Sequence, residues 1–223
     1  MVPEQFGQDG YCVLPDVLPR QICQEAIEEF ERLRGDSGSH SLRNVHRSAL
    51  VLDIANNSAA MELAKGILGP NATLVRAIFF DKIPGSNWSV PWHQDLTIAL
   101  KERAEVPGFS PWSQKDGVWH VQPPAEILDA MVTVRLHLDD CSHDNGPVRV
   151  KPGSHRHGKI AESRIEGWNT QDVACTGLAG SALVMRPLLL HASSPAQNPA
   201  HRRVLHLEYA SAILPEPLEW YLA

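Results

Sequence analysis

In extended backbone alternate side chains share a face, so in the run His93-Gln94-Asp95 the first and third residues can reach one point while Gln94 faces elsewhere. A site that uses both needs a further group from a distant strand folded back alongside, which favours a β architecture where remote strands become neighbours. The rest of the sequence agrees. Short β-rich runs cover Thr73 to Phe80, Val132 to Leu138, Val148 to Val150, Ser181 to Met185 and Val204 to Tyr209, and read as a sandwich or barrel. Gly85, Gly146, Gly153, Gly177 and Gly180 fall between runs, where positive φ or a tight turn is needed. Ahead of them, Ile22, Ala26, Ile27, Phe30 and Leu33 form an apolar helical stripe, and a second helix is predicted from about Ser58 to Ile67, stopped by Gly69-Pro70. Both read as scaffold helices.

His191 is the candidate for the distant group, with Arg202 beyond it. Two imidazoles and one carboxylate on one face of a metal leave three positions open, the arrangement non-haem Fe(II) uses to take up a chelating co-substrate and O2. His93, Asp95 and His191 are therefore the candidate metal ligands and catalytic residues. The triplet alone is a weak signal in a chain with 11 His, because a lone histidine is more often a satisfied polar group than a ligand. Catalytic zinc in hydrolases can use the same residue types, but no His-Glu-X-X-His signature occurs. His120, His137, His143, His157, His201 and His206 show no spacing that demands a metal.

Three blocks add context: Ser86-Asn87-Trp88-Ser89-Val90-Pro91-Trp92-His93-Gln94-Asp95, Asp144-Asn145-Gly146-Pro147-Val148-Arg149-Val150-Lys151-Pro152-Gly153-Ser154-His155, and His191-Ala192-Ser193-Ser194-Pro195 leading to Arg202-Arg203-Val204-Leu205. With the opening Phe6-Gly7-Gln8-Asp9-Gly10-Tyr11-Cys12-Val13-Leu14-Pro15, they resemble the phytanoyl-CoA dioxygenase family of Fe(II)/2-oxoglutarate oxygenases, in order and over most of the chain. The resemblance implies a double-stranded β-helix, or jelly roll, flanked by helices. It implies Fe(II), 2-oxoglutarate and O2 as cofactor and co-substrates, and hydroxylation of an unactivated C–H bond with release of succinate and CO2. Desaturation by the same iron site is the neighbouring alternative; halogenation is not expected, because halogenating relatives carry a small residue where this chain has Asp95. Arg202 is expected to take the distal carboxylate of 2-oxoglutarate through its planar fork, with Arg203 turned away. Ser193 and Gln94 are placed beside the same co-substrate by the resemblance. A departure is Arg135, where relatives often carry Trp. Alternation puts Thr133, Arg135 and His137 on one face, so Arg135 either lines the barrel and needs an anion or faces solvent without function.

The stretch from about Leu100 to Pro124 breaks the β pattern and follows closely on Asp95. It reads as a lid insertion whose Trp112 and Trp119 cover a substrate. Length and pattern otherwise suggest one domain over residues 1–223. Four cysteines without Cys-X-X-Cys spacing suggest reduced thiols, and no export signal or membrane span is seen, so a cytoplasmic protein is expected. A formal charge of -6 gives no general attraction to phosphate backbones, so nucleic acid is not an expected partner. The expected substrate is a small molecule, with acidic ones among the candidates. The competing reading is a jelly-roll binding or scaffold module without turnover. A degenerate site would be expected to lose one of His93, Asp95, His191 and Arg202, and all four are present.

Overall fold

The computed structural model describes residues 3–83, 87–198 and 200–222, and thirteen strands form among them. They are β1 (Tyr11–Leu14), β2 (Ser41–Arg43), β3 (Thr73–Lys82), β4 (Val90–His93), β5 (Ile98–Leu100), β6 (Trp112–Lys115), β7 (Val118–Val121), β8 (Met131–His137), β9 (Val148–Val150), β10 (Val173–Cys175), β11 (Ala182–Met185), β12 (His191–Ser193) and β13 (Arg202–Ala210). Two sheets, ordered β1-β11-β8-β13-β3-β2 and β10-β9-β12-β4, form the jelly roll. The order interleaves strands far apart in sequence, as a site split between residues 93 and 191 requires.

Side-chain parity on the large sheet separates core from cavity. Val132, Val134 and Leu136 of β8 and Leu205, Leu207 and Tyr209 of β13 pack outward against the helices Arg20–Arg34, Ala49–Asn57 and Ala59–Leu68. Phe30, on the first helix, meets Phe79 of β3 edge to face at 5.3 Å, both fully buried. Burial of each such ring contributes about 1.5–3 kcal/mol. The Tyr209 hydroxyl donates to the Ala55 carbonyl at 2.8 Å, near the end of the second helix where that carbonyl has no helical partner. The alternate residues of the same strands, Arg135, Arg202, His206 and Glu208, face inward.

Two expectations need correction. The helix predicted from Ser58 is the helix Ala59–Leu68, but a second one, Ala49–Asn57, precedes it directly. Ser48 and Ser58 each cap a helix start, accepting from the Val51 and Ala60 amides. The predicted irregular stretch contains structure too: β5, β7 and β6 form a third, antiparallel sheet, with the β6–β7 hairpin turning at Asp116 (φ 49°) and Gly117 (φ 80°). An Asp-Gly pair with both residues at positive φ matches the twist of a two-residue hairpin.

Of the turn glycines, Gly146, Gly153 and Gly180 take positive φ, and Gly85 lies outside the described residues. Gly180 shows why: its carbonyl accepts from both Val17 and Leu18, and a Cβ there would lie 2.4 Å from the Leu18 oxygen. Gly177 lacks positive φ; a close approach fixes it instead, since a Cβ would meet Ser181 Oγ at 2.2 Å.

Candidate metal centre and its cavity

β4 and β12 run antiparallel with His93 directly opposite His191, bringing the two rings to 4.1 Å between centroids. Asp95 follows the end of β4, its amide held by the Pro187 carbonyl at 2.9 Å. Its carboxylate oxygens lie 3.8 Å from His93 Nε2 and 3.6 Å from His191 Nε2, and ligand atoms from all three residues lie within 4.8 Å of one another. Donors about 2.1 Å from one ion can be at most about 4.2 Å apart, so both carboxylate separations allow sharing.

The tautomers suit the task. His93 Nδ1 is 2.8 Å from the Pro91 carbonyl and His191 Nδ1 is 3.0 Å from the Leu189 carbonyl. A carbonyl only accepts, so both Nδ1 atoms donate and both Nε2 atoms carry a lone pair toward Asp95. Burial pushes His191 down to about 4, keeping it neutral near pH 7 despite the adjacent carboxylate. Burial alone would raise the Asp95 carboxyl, but positive charge around it, from the imidazoles where protonated and from Arg76, outweighs burial and holds it below the usual range. Neutral imidazoles and an ionised carboxylate are the donor set that Fe(II) takes.

A cavity of about 260 Å³ opens beside these groups, lined by residues of both jelly-roll sheets. Arg202, only 7% exposed, reaches it and makes no ion pair among the described residues; its Nε lacks a hydrogen-bond partner. Arg203 faces the opposite way and is spent on Asp139, with two 2.8 Å bonds to the carboxylate. Ser193 lines the cavity as well. Behind Arg202, its register partner Lys82 is buried and donates to the Ser194 carbonyl at 2.6 Å.

Arg135 also lines the cavity, over the Phe80 ring at 5.6 Å. Burial and neighbouring Arg202 push it down to about 10, still charged near neutrality. Its guanidinium donates to His206 Nδ1 at 2.8 Å, which leaves His206 Nε2 to donate to Glu208 at 3.1 Å. Arg76 donates to the same Glu208 oxygen at 3.1 Å. The chain Arg135, His206, Glu208, Arg76 thus crosses the cavity floor.

Three expected residues lie elsewhere. Gln94 points away from the cavity by strand parity, donates to the Gly158 and Leu188 carbonyls and accepts from Ile160, so its amide pins a loop. Trp112 and Trp119 share one face of the third sheet with Ile98, Leu100 and Val121, and Trp112 packs into the apolar cluster those residues form. Neither ring lines the cavity. The opposite face of that hairpin sends Lys115 to it instead.

Sequence reasoning missed Arg43, Arg76, Lys115, His206 and Glu208 as cavity residues. For the last two a signal existed, since His206 and Glu208 share the parity of Arg202 on one strand. Lys101, Arg103 and Arg186, cations that could have served an acidic ligand, are engaged by Glu219, by Glu105, and by the Asp129 and Met131 carbonyls.

Known proteins resemble this chain in sequence and in fold. Over 92% of this chain and 84% of its own length, L-proline trans-4-hydroxylase of Streptomyces griseoviridis is 24% identical. The ectoine dioxygenase of Nocardia farcinica is 25% identical over 92% of this chain and 76% of its own. Among solved structures, HygX from Streptomyces hygroscopicus with nickel and 2-oxoglutarate bound superimposes with a TM-score of 0.71 at 16% identity, covering 97% of this chain and 89% of that one. EctD from S. alaskensis in its apo form gives 0.70 at 20% identity, covering 96% and 78%. Among the described residues no helix is long and apolar enough to cross a membrane. The family profile for phytanoyl-CoA dioxygenase (PhyH) matches residues 6–204, so this chain belongs to that family.

Proposed function

We propose that this chain is an Fe(II)- and 2-oxoglutarate-dependent dioxygenase that hydroxylates an unactivated C–H bond of a small molecule, acidic rather than neutral. The carrying observation is the donor set: two Nε2 lone pairs and a carboxylate converge beside a cavity whose buried Arg202 has no acidic partner among the described residues. His93, Asp95 and His191 would hold the metal, and Arg202 the distal carboxylate of 2-oxoglutarate, with Ser193 and Arg135 alongside. When bound, iron and 2-oxoglutarate supply an oxidant from O2 and release succinate and CO2. The chain's own part is positioning. The Pro91 and Leu189 carbonyls fix the imidazoles, Arg202 sets the co-substrate's direction, and Phe80, Val90 and Val148 contribute apolar surface to the cavity. With a carboxylate at position 95 no ligand position is freed for halide. The cavity volume is below the 300 Å³ or so that begins the usual range for drug-sized ligands, so a bulky substrate could insert only one end.

Anaerobic titration of Fe(II) and 2-oxoglutarate, followed by the visible charge-transfer band, tests the assignment. Wild type should develop the band, and His93→Ala and His191→Ala should not. Absence of the band in wild type would overturn it.

A further inference from the structure

The cavity has two ends along β13, from Arg202 to Glu208, separated by roughly 20 Å of strand. On the reading above, on which this inference rests, 2-oxoglutarate takes the Arg202 end. The other end is framed by Arg43, Arg76 and Lys115. Arg43 pairs with Asp116 at 3.1 Å and Arg76 with Glu208 at 3.1 Å. Lys115 makes no ion pair among the described residues. With Asp95 assigned to the metal, three cations against two acids, Asp116 and Glu208, leave one positive charge without a paired carboxylate, at the end away from the co-substrate anchor.

Chain geometry places that charge at the solvent-exposed mouth of the cavity. Trp112 and Lys115 lie on opposite faces of β6, so burying Trp112 against the third sheet's apolar cluster turns Lys115 toward the metal side. The tight Asp116-Gly117 turn follows directly and places the Arg43 partner, Asp116, beside it. Partial burial, then Arg76 and Arg43, lower the Lys115 ammonium from its ordinary value, against the opposing pull of Asp95 and Glu208.

We propose that Lys115, flanked by Arg43 and Arg76, binds the single carboxylate of a small monoanionic substrate and so holds the rest of that molecule over the Asp95 side of the metal centre. One uncompensated charge matches a monocarboxylate better than a dianionic phosphate. The pairs Arg43–Asp116 and Arg76–Glu208 then serve as walls whose hydrogen-bond donors can also reach the bound carboxylate.

The test uses protein loaded with nickel and 2-oxoglutarate, so that the Arg202 end is filled. Glycine, L-proline and benzoate are titrated against their primary amides, and saturable shifts in melting temperature are read. At least one acid should bind about tenfold more tightly than its amide. Lys115→Gln should erase that preference without changing nickel or 2-oxoglutarate affinity, and Lys115→Arg should restore it. The proposal is overturned if acids and amides bind alike, if Lys115→Gln behaves as wild type, or if no acid binds with Kd under about 10 mM. Loading is measured first and separately. Should it fail, the preceding assignment fails, and the same titration on unloaded Arg202→Gln protein still decides whether Lys115 binds a carboxylate.

Discussion

Replacing Arg202 by Ala separates the co-substrate anchor from the metal. Arg202 is almost fully enclosed, 7% exposed, and makes no ion pair among the described residues, so its charge is available to a ligand. A charged hydrogen bond contributes about 1.5–3 kcal/mol, which corresponds to roughly tenfold to 150-fold in Kd. Because Arg135 lines the same cavity and keeps its charge, the loss should fall in the lower half of that range. Metal affinity should stay unchanged, since no metal-ligand candidate is touched. The ligand-free protein should melt no lower than wild type, because the substitution removes an enclosed cation without an acidic partner. Arg203→Ala is the matched control. It breaks two 2.8 Å bonds to Asp139, should cost about 1 kcal/mol of stability given partial exposure, and should leave 2-oxoglutarate affinity intact. Calorimetric titration of 2-oxoglutarate into the nickel-loaded variants reads both. Unchanged affinity in Arg202→Ala together with a loss in Arg203→Ala would refute the assignment.

The packing of Trp112 into the apolar cluster beside Ile98, Leu100 and Val121 makes Trp112→Ala a stability variant: a loss of about 2 kcal/mol in denaturant unfolding is expected, with product formed per succinate unchanged. Uncoupling without destabilisation would return the ring to the role of substrate cover. Tyr209→Phe strands the Ala55 carbonyl and should cost about 1–2 kcal/mol, with faster hydrogen exchange in the helix Ala49–Asn57; exchange at the wild-type rate would show that this bond does not hold the helix. His120 and His137 are buried and pushed down to about 4, chiefly by burial, so between their ordinary value of about 6.5 and 4 the unfolded chain binds more protons than the native one. Stability should therefore be full above pH 6.5 or so and fall as pH drops through that window, and His137→Gln should flatten the slope; a slope unaltered by that change would place the proton uptake elsewhere.

Local rules were enough for much of this molecule. The run Val148 to Val150 is β9 to the residue, and Thr73 to Phe80, Val132 to Leu138 and Val204 to Tyr209 lie within about two residues of β3, β8 and β13, because alternating apolar residues must face a core wherever the chain pairs. His93, Asp95 and His191 were legible for a related reason: chemistry limits which residue types can share a metal, and strand parity limits which neighbours can point together. The family resemblance selected Arg202, and its opposite parity to Arg203 agrees. Trp112 and Trp119 were read as a cover for substrate because the stretch from about Leu100 to Pro124 breaks the β pattern, and a broken pattern does not say what the rings meet. Only the third sheet, formed by pairing β7 with both β5 and β6, turned Trp112 into an apolar cluster and Lys115 toward the cavity. For Gln94 parity pointed the right way and the resemblance did not: its amide takes its partners from residues 158, 160 and 188. The floor of the cavity shows the limit most plainly. Arg76 and Glu208 look like ordinary charges until β3 and β13 come into register and bring them to 3.1 Å. Sequence carries the donor types and their parity; which charges are left without partners depends on long-range register, and that is fixed only when the sheets close.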